Sequence, residues 1–204
     1  MTARGRLLAL EGIDGCGKST QAQALAETLG AHLTHEPGAT DLGATLRQVL
    51  LSPDAPPVSL RAEALLMAAD RAEHVARVIE PALASGQWVV SDRYSGSTLA
   101  YQGYGRGLDV AELSALVAWA TGGLAADLSI LIDVTVDVAA ERLATSAPDR
   151  LERLGPEFAA RVRRGFLTQA ESDPAHWAVV DGTLDPVSLT ARTVELVRAR
   201  LGEG

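Results

Sequence analysis

EGIDGCGKST, Glu11 to Thr20, decides how this chain is read. Gly12, Gly17, Lys18 and Ser19 complete the pattern G-x-x-x-x-G-K-[ST], a loop whose successive backbone N–H groups face an anion. Gly12, Gly15 and Gly17 allow the tight turn this needs. Lys18 is the only lysine in the chain, and every other basic residue is arginine. The ammonium is thus used only where a compact, flexible charge suits the β- and γ-phosphates of a nucleotide. The Ser19 hydroxyl suits Mg²⁺, and the helix that follows adds its positive dipole end. The expected nucleotide site is therefore the loop itself: Gly12, Ile13, Asp14, Gly15, Cys16, Gly17, Lys18, Ser19 and Thr20. A chance glycine-rich turn would not explain the apolar strand-like run Leu7–Leu10 before it and the helical pattern Thr20–Leu29 after it.

Outward from the loop, strand candidates alternate with helical patterns. The strands are expected at Arg6–Leu10, His32–His35, Trp88–Ser91, Leu128–Val134 and Trp177–Val180. Helices are expected near Asp41–Leu51, Ser59–Ser85, Asp109–Thr121, Val136–Leu143, Pro156–Ser172 and Pro186–Leu201, with Ser59 as an N-cap and Gly86 closing the long one. This alternation implies an α/β fold with a parallel sheet covered on both faces and ligands outside the carboxyl ends of the strands. The polar break Thr145–Gly155 has the length and composition of a lid.

Composition narrows the function. A length of 204 residues suits one domain, 1–204, and 47% hydrophobic residues suit a folded core. A net charge of −8 argues against nucleic acid and anionic membrane as partners, so arginines must gather locally if the ligands are anionic. One cysteine, Cys16, excludes an internal disulfide and suits a reducing compartment. The apolar run near the start is too short for a signal peptide, and a cytoplasmic protein is expected.

Three further clusters carry chemistry. VVSDRY, Val89 to Tyr94, sets Asp92 past an apolar strand, where an acid organises Mg²⁺, with Arg93 next to it. AADRAEH, Ala68 to His74, puts Arg71 one helical turn from Met67, an apolar surface for a flat base with an arginine at its edge. THEPGAT, Thr34 to Thr40, ends the second strand in a tight turn at Pro37-Gly38. The four histidines have no metal-ligand spacing and are assigned to ordinary structure.

In this order the pieces closely resemble bacterial thymidylate kinases of the P-loop nucleoside monophosphate kinase superfamily. The match runs from EGIDGCGKST through EPGAT, Leu46-Arg47, AADRAEH, DRYSGSTLAYQG, LIDV followed by AAER, and DRLE, to VVDGT. The resemblance implies a three-layer P-loop fold, with a parallel five-stranded sheet flanked by helices. It also implies ATP and dTMP as partners, Mg²⁺ at Ser19 and Asp92, and a homodimer built through helices. Lys18 and the loop hold the ATP phosphates, and Arg142 stacks on adenine. Asp14, Glu36, Arg47, Met67, Arg71, Arg93, Ser97, Thr98, Tyr101 and Gln102 take the acceptor. Arg71 reads the thymine edge, Arg93 bridges the phosphates and Tyr101 crowds a ribose 2′-OH. One class of the family carries a basic residue after the loop aspartate, where Gly15 stands here. The other class draws a guanidinium from the lid, a role that falls to Arg150, with Arg153 in reserve. The chain departs from the family's frequent Arg, Gly and Phe at His35, Ala39 and Met67. A thioether at Met67 still packs on a ring face.

Three rival readings are open. A regulatory GTPase would read guanine with an Asn-Lys-x-Asp segment, but the chain has no asparagine and its lysine is in the loop. A deoxynucleoside kinase needs a carboxylate base for a neutral hydroxyl, for which Glu36 is the candidate. A non-catalytic nucleotide-binding protein would not need Lys18, Ser19, Asp92 and Arg93 together.

Overall fold

The computed structural model describes residues 4–144 and 147–202. Five parallel strands lie in the order β2-β3-β1-β4-β5, with β1 Leu7–Glu11, β2 His32–His35, β3 Val89–Asp92, β4 Leu128–Asp133 and β5 Trp177–Asp181. β1 is buried at every position, as a central strand covered on both faces must be. Leu8, Leu10, Val90, Leu128, Ile130, Leu131 and Ile132 form the middle of the core, and aliphatic side chains dominate it.

α1 (Lys18–Leu29) leaves the loop behind β1 and stops at Gly30, whose left-handed backbone (φ 63°) closes the helix. α2 (Asp41–Leu51) is capped by Thr40, and α3 (Leu60–His74) by Ser59, whose side chain accepts from Ala62 N. The run expected as one helix over Ser59–Ser85 changes register. A π segment at Val75–Ile79 separates α3 from α4 (Glu80–Ala84), ahead of Pro81, which has no N–H to give the ladder.

After β3, the segment Ser95–Gly105 is helical, as α5 (Ser95–Thr98) followed by a π segment, Leu99–Gly105. Its polar composition hides this, and burial of Ala100, Tyr101 and Gln102 against the body of the protein holds it. Gly105 makes the fit possible: a Cβ there would stand 2.6 Å from Phe158 Cε2. α6 (Val110–Ala120), α7 (Val136–Leu143), α8 (Pro156–Ser172) and α9 (Pro186–Leu201) complete the layers. Of the expected lid, 145 and 146 lie outside the described residues, and the rest contains a 3₁₀ turn at Glu152–Leu154. Among the described residues no helix is long and apolar enough to cross a membrane.

Candidate active site

The loop Gly12–Gly17 joins the end of β1 to α1, and Gly12, Gly15 and Gly17 all have positive φ, at 145°, 83° and 99°. A Cβ at Gly12 would meet Ile132 O and Cys16 Sγ at 2.7 Å. Ile13 and Cys16 are buried beneath the loop, so they build it rather than face the cleft. Lys18 Nζ donates to Ile13 O at 2.9 Å and lies 3.7 Å from Cys16 Sγ and 3.9 Å from Asp14 Oδ1.

A cleft of about 890 Å³ opens over the loop, lined by Asp14, Gly15, Gly17, Lys18, Ser19 and Thr20, and by Arg47, Asp92, Arg93 and Arg142. Four cations thus converge in a molecule of net charge −8. Ser19 Oγ donates to Asp92 Oδ2 at 2.5 Å. This pair of oxygen ligands at the mouth of a phosphate loop fits a hard cation that keeps other ligands from phosphate and water. Among the described residues no group of three His, Cys, Asp or Glu side chains forms a cage of its own. Arg142 reaches the loop from α7 and is fixed by bonds to Cys16 O (3.1 Å) and Gly182 O (2.8 Å).

A second, narrower cavity adjoins the cleft, and Asp14, Glu36, Arg47 and Arg93 line both. Met67, Arg71, Ser97, Thr98, Tyr101 and Gln102 line only the inner one, together with Asp70, Asp149 and Leu151. Arg93 stands at the junction with φ 74°, a conformation uncommon for a residue with a side chain. Its guanidinium bonds Gly12 O (3.1 Å), Ser97 Oγ (3.0 Å), Tyr101 Oη (3.0 Å) and Asp14. Tyr101 in turn donates to Asp14 Oδ2 at 2.6 Å. Burial acts to raise the Asp14 carboxyl, but Arg93, then Lys18, outweigh it and hold the group at about 2. Burial keeps the Tyr101 phenol protonated far above its ordinary range.

Arg71 is presented by fixed partners: Nε to Glu36 (2.8 Å), one terminal nitrogen to Thr98 Oγ1 (2.7 Å) and the other to Tyr94 O (2.9 Å). Glu36 is held on its other oxygen by His74 Nδ1 at 2.9 Å, and His74 Nε2 meets Thr34 Oγ1 at 2.6 Å. A buried carboxylate engaged on both oxygens is poorly placed to take a proton from a hydroxyl, which counts against the deoxynucleoside-kinase reading. Arg47 is steered by Pro37 O at 2.8 Å. Burial, then the charge of Arg47, holds His35 below its ordinary range, so it adds no second cation at neutral pH.

Arg150 is not brought to the cleft. Its guanidinium lies on Glu63 Oε2 at 3.0 Å and lines neither cavity, while Arg153 is exposed. Four acids acquire roles that the linear pattern does not signal. Glu11 accepts from Tyr94 N, Ser97 N and Ser97 Oγ, and burial pushes its carboxyl up to about 7. Asp70 accepts from Gly38 N, and burial, then Glu36, raises it to about 6. Glu63 gathers Gln102, Arg106 and Arg150, and Asp149 accepts from Leu151 N and Glu152 N to shape the lid turn. An acid inside an apolar helical stretch, as Glu63 is in RAEALLM, is the one signal available, since a buried charge must find a partner.

A family model described as thymidylate kinase matches residues 10–192. The chain belongs to the thymidylate kinase family. It is 49% identical over 211 residues to a thymidylate kinase of Synechococcus sp. (strain RCC307), covering 97% of this chain and 98% of the relative. It is 46% identical over 209 residues to that of Burkholderia vietnamiensis (strain G4 / LMG 22486), covering 98% and 96%. The crystal structure of thymidylate kinase from Ehrlichia chaffeensis superposes with a TM-score of 0.80 at 30% identity, covering 96% of this chain and 99% of that one. Thymidylate kinases are nucleoside monophosphate kinases, and this chain is one of that class of phosphotransferase.

Proposed function

We infer that this chain transfers the γ-phosphoryl group of ATP to the 5′-phosphate of dTMP, giving dTDP and ADP. The observation that carries the reading is the junction at Arg93. One guanidinium lines both the phosphate-loop cleft and a base-sized cavity walled by Met67, Arg71, Thr98, Tyr101 and Gln102. The chemical difficulty is to bring two polyanions together. At about 4 Å each unit-charge repulsion is roughly 4 kcal/mol at an effective dielectric near 20. Lys18, Arg47 and Arg93 offset it, and the acceptor phosphate is already an anion, so no strong base is required. In-line positioning supplies the remainder.

The donor lies on the loop with Arg142 beside the adenine, and the acceptor lies in the inner cavity with Arg71 at the thymine edge. Tyr101, fixed by Asp14 and Arg93, excludes a ribose 2′-OH. Ser19 and Asp92 hold Mg²⁺, which neutralises charge on the phosphates when bound. Arg150 is the lid guanidinium that meets the transferred group, replacing the basic residue absent at Gly15. The protein acts in the cytoplasm as a homodimer. Its contact face is the one on α3 and α6 that presents Leu65 and Trp119, the latter 82% exposed. The test is a coupled ATP-consumption assay over nucleoside monophosphates and nucleosides. dTMP should be preferred by a wide margin, and comparable turnover of AMP, CMP or thymidine would sink the assignment.

A further inference from the structure

Glu63 of α3 is 1% exposed, and donors from three other places in the chain converge on it. Gln102 Nε2 gives to Oε1 at 3.0 Å, and Arg106 gives Nε to Oε1 at 3.1 Å and a terminal nitrogen to Oε2 at 2.7 Å. Arg150 adds one terminal N–H to Oε2 at 3.0 Å. The two guanidinium ions are not held alike. Arg106 forms a two-pronged pair that neutralises the carboxylate by itself. Arg150 makes a single bond, and among the described residues its buried Nε has no partner. An unmade buried donor weighs against the position Arg150 occupies. Departure of Arg150 therefore breaks one bond, leaves Glu63 paired and frees an unsatisfied N–H.

The backbone around Arg150 is seated independently. Its N–H donates to Leu51 O at 3.1 Å, and its neighbours Asp149 and Leu151 line the inner cavity while its own side chain lines neither cavity. The side chain can thus swing without lifting the lid from the acceptor. Gln102 shares the same carboxylate and also walls the acceptor cavity, so the dock touches both the lid and the pocket.

We propose that Glu63 is a positioning residue for phosphoryl transfer, a dock that holds Arg150 off the phosphates and releases it readily because Arg106 stays paired with the carboxylate. The proposal rests on the reading of Arg150 as the lid arginine. Its consequence is that bound ATP does not meet Arg150 by default, so water is refused as an acceptor. A guanidinium released late contributes to the transition state rather than to the ground state.

The full-length Glu63→Gln, Arg106→Met and Arg150→Ala variants are assayed for ATP consumption with and without dTMP, and for hydrogen exchange at the Arg150 guanidinium by NMR. Glu63→Gln should raise dTMP-independent ATP hydrolysis several-fold and speed exchange at Arg150. Arg106→Met leaves Arg150 as the only arginine on Glu63. It should lower kcat with dTMP several-fold, leave dTMP-independent hydrolysis at the wild-type level and slow that exchange. Opposite movements support the dock, because a merely structural role would degrade both variants in the same direction. If Glu63→Gln does not fold, Arg106→Met and its exchange rates decide. Both variants falling together while Arg150→Ala is crippled would overturn the dock and leave the lid-arginine reading intact. A fully active Arg150→Ala would overturn both.

Discussion

Glu11→Gln tests whether the buried carboxyl under the phosphate loop costs the protein stability at working pH. Glu11 is fully buried, and burial is the dominant influence on it. Its bonds from Ser97 and Tyr94 and the charges of Arg93 and Arg71 pull the other way without offsetting burial. The folded state therefore holds this proton more tightly than the unfolded chain does. The stability it contributes is complete below about 4.5 and is lost as pH rises through about 7. At 1.36 kcal/mol per pH unit, the interval from 4.5 to about 7 amounts to about 3 kcal/mol. Glutamine has the same shape: its oxygen accepts from Tyr94 N and Ser97 N as Oε1 does, and its amide can face Ser97 Oγ. At pH 8 the variant should be more stable by about 3 kcal/mol, a Tm rise of roughly 6–12 °C for a chain of this size. At pH 5 most of the gap should be gone. Urea unfolding of both proteins at pH 5, 6.5 and 8 measures this. A gap of equal size at all three, or a variant less stable at pH 8, would refute the reasoning.

Lys18→Ala should fold normally and lose turnover by several orders of magnitude, since it removes a charge-assisted clamp on the phosphates; near-normal kcat in a folded variant contradicts the loop assignment. Tyr101→Ala should raise kcat/KM for the ribose analogue of the acceptor relative to dTMP, and an unchanged ratio places the exclusion elsewhere. Arg150→Ala should lower kcat by orders of magnitude with little change in dTMP affinity measured by calorimetry, whereas Arg153→Ala, exposed in the structure, should do much less. The reverse order of effects would move the lid role to Arg153.

Periodic features are legible in the residues, and contacts distant in sequence are not. β2, α2, α7, α8 and α9 fall at the expected boundaries because hydrophobic spacing and caps such as Thr40 and Asp185 are local. The helical run Ser95–Gly105 is not legible in the residues, because Gly, Ser and Thr favour turns in isolation and packing against α8, α6 and α3 holds it. The expected acceptor residues do line one cavity, since each belongs to a motif at a strand end or on one helix face. Glu11 and Glu63 escaped for a different reason. Their partners Ser97 and Arg150 are 86 and 87 residues away, and no spacing rule joins positions that far apart. The resting place of Arg150 is likewise a property of three dimensions, set by a choice between a carboxylate and the cleft.

The π segment Leu99–Gly105 has a consequence for how this family can tolerate changes in length. Arg106 N bonds to Tyr101 O, five residues back, so this stretch holds one residue more per turn than a regular ladder would. A single-residue deletion between Gln102 and Arg106 would close into an ordinary α-helix, keep its apolar pattern and pass most tests of foldability. It would also remove one of Gly103, Tyr104 and Gly105, and with it part of the seat on α8, where Gly105 meets Phe158 and Tyr104 lies against Gly165. Tyr101 and Gln102 would stay at the pocket while the seat that carries the chain on to Arg106 and Glu63 was lost. Gaps here should therefore be rare among active relatives even where substitutions are common, because this short stretch constrains the count of residues more than their identity.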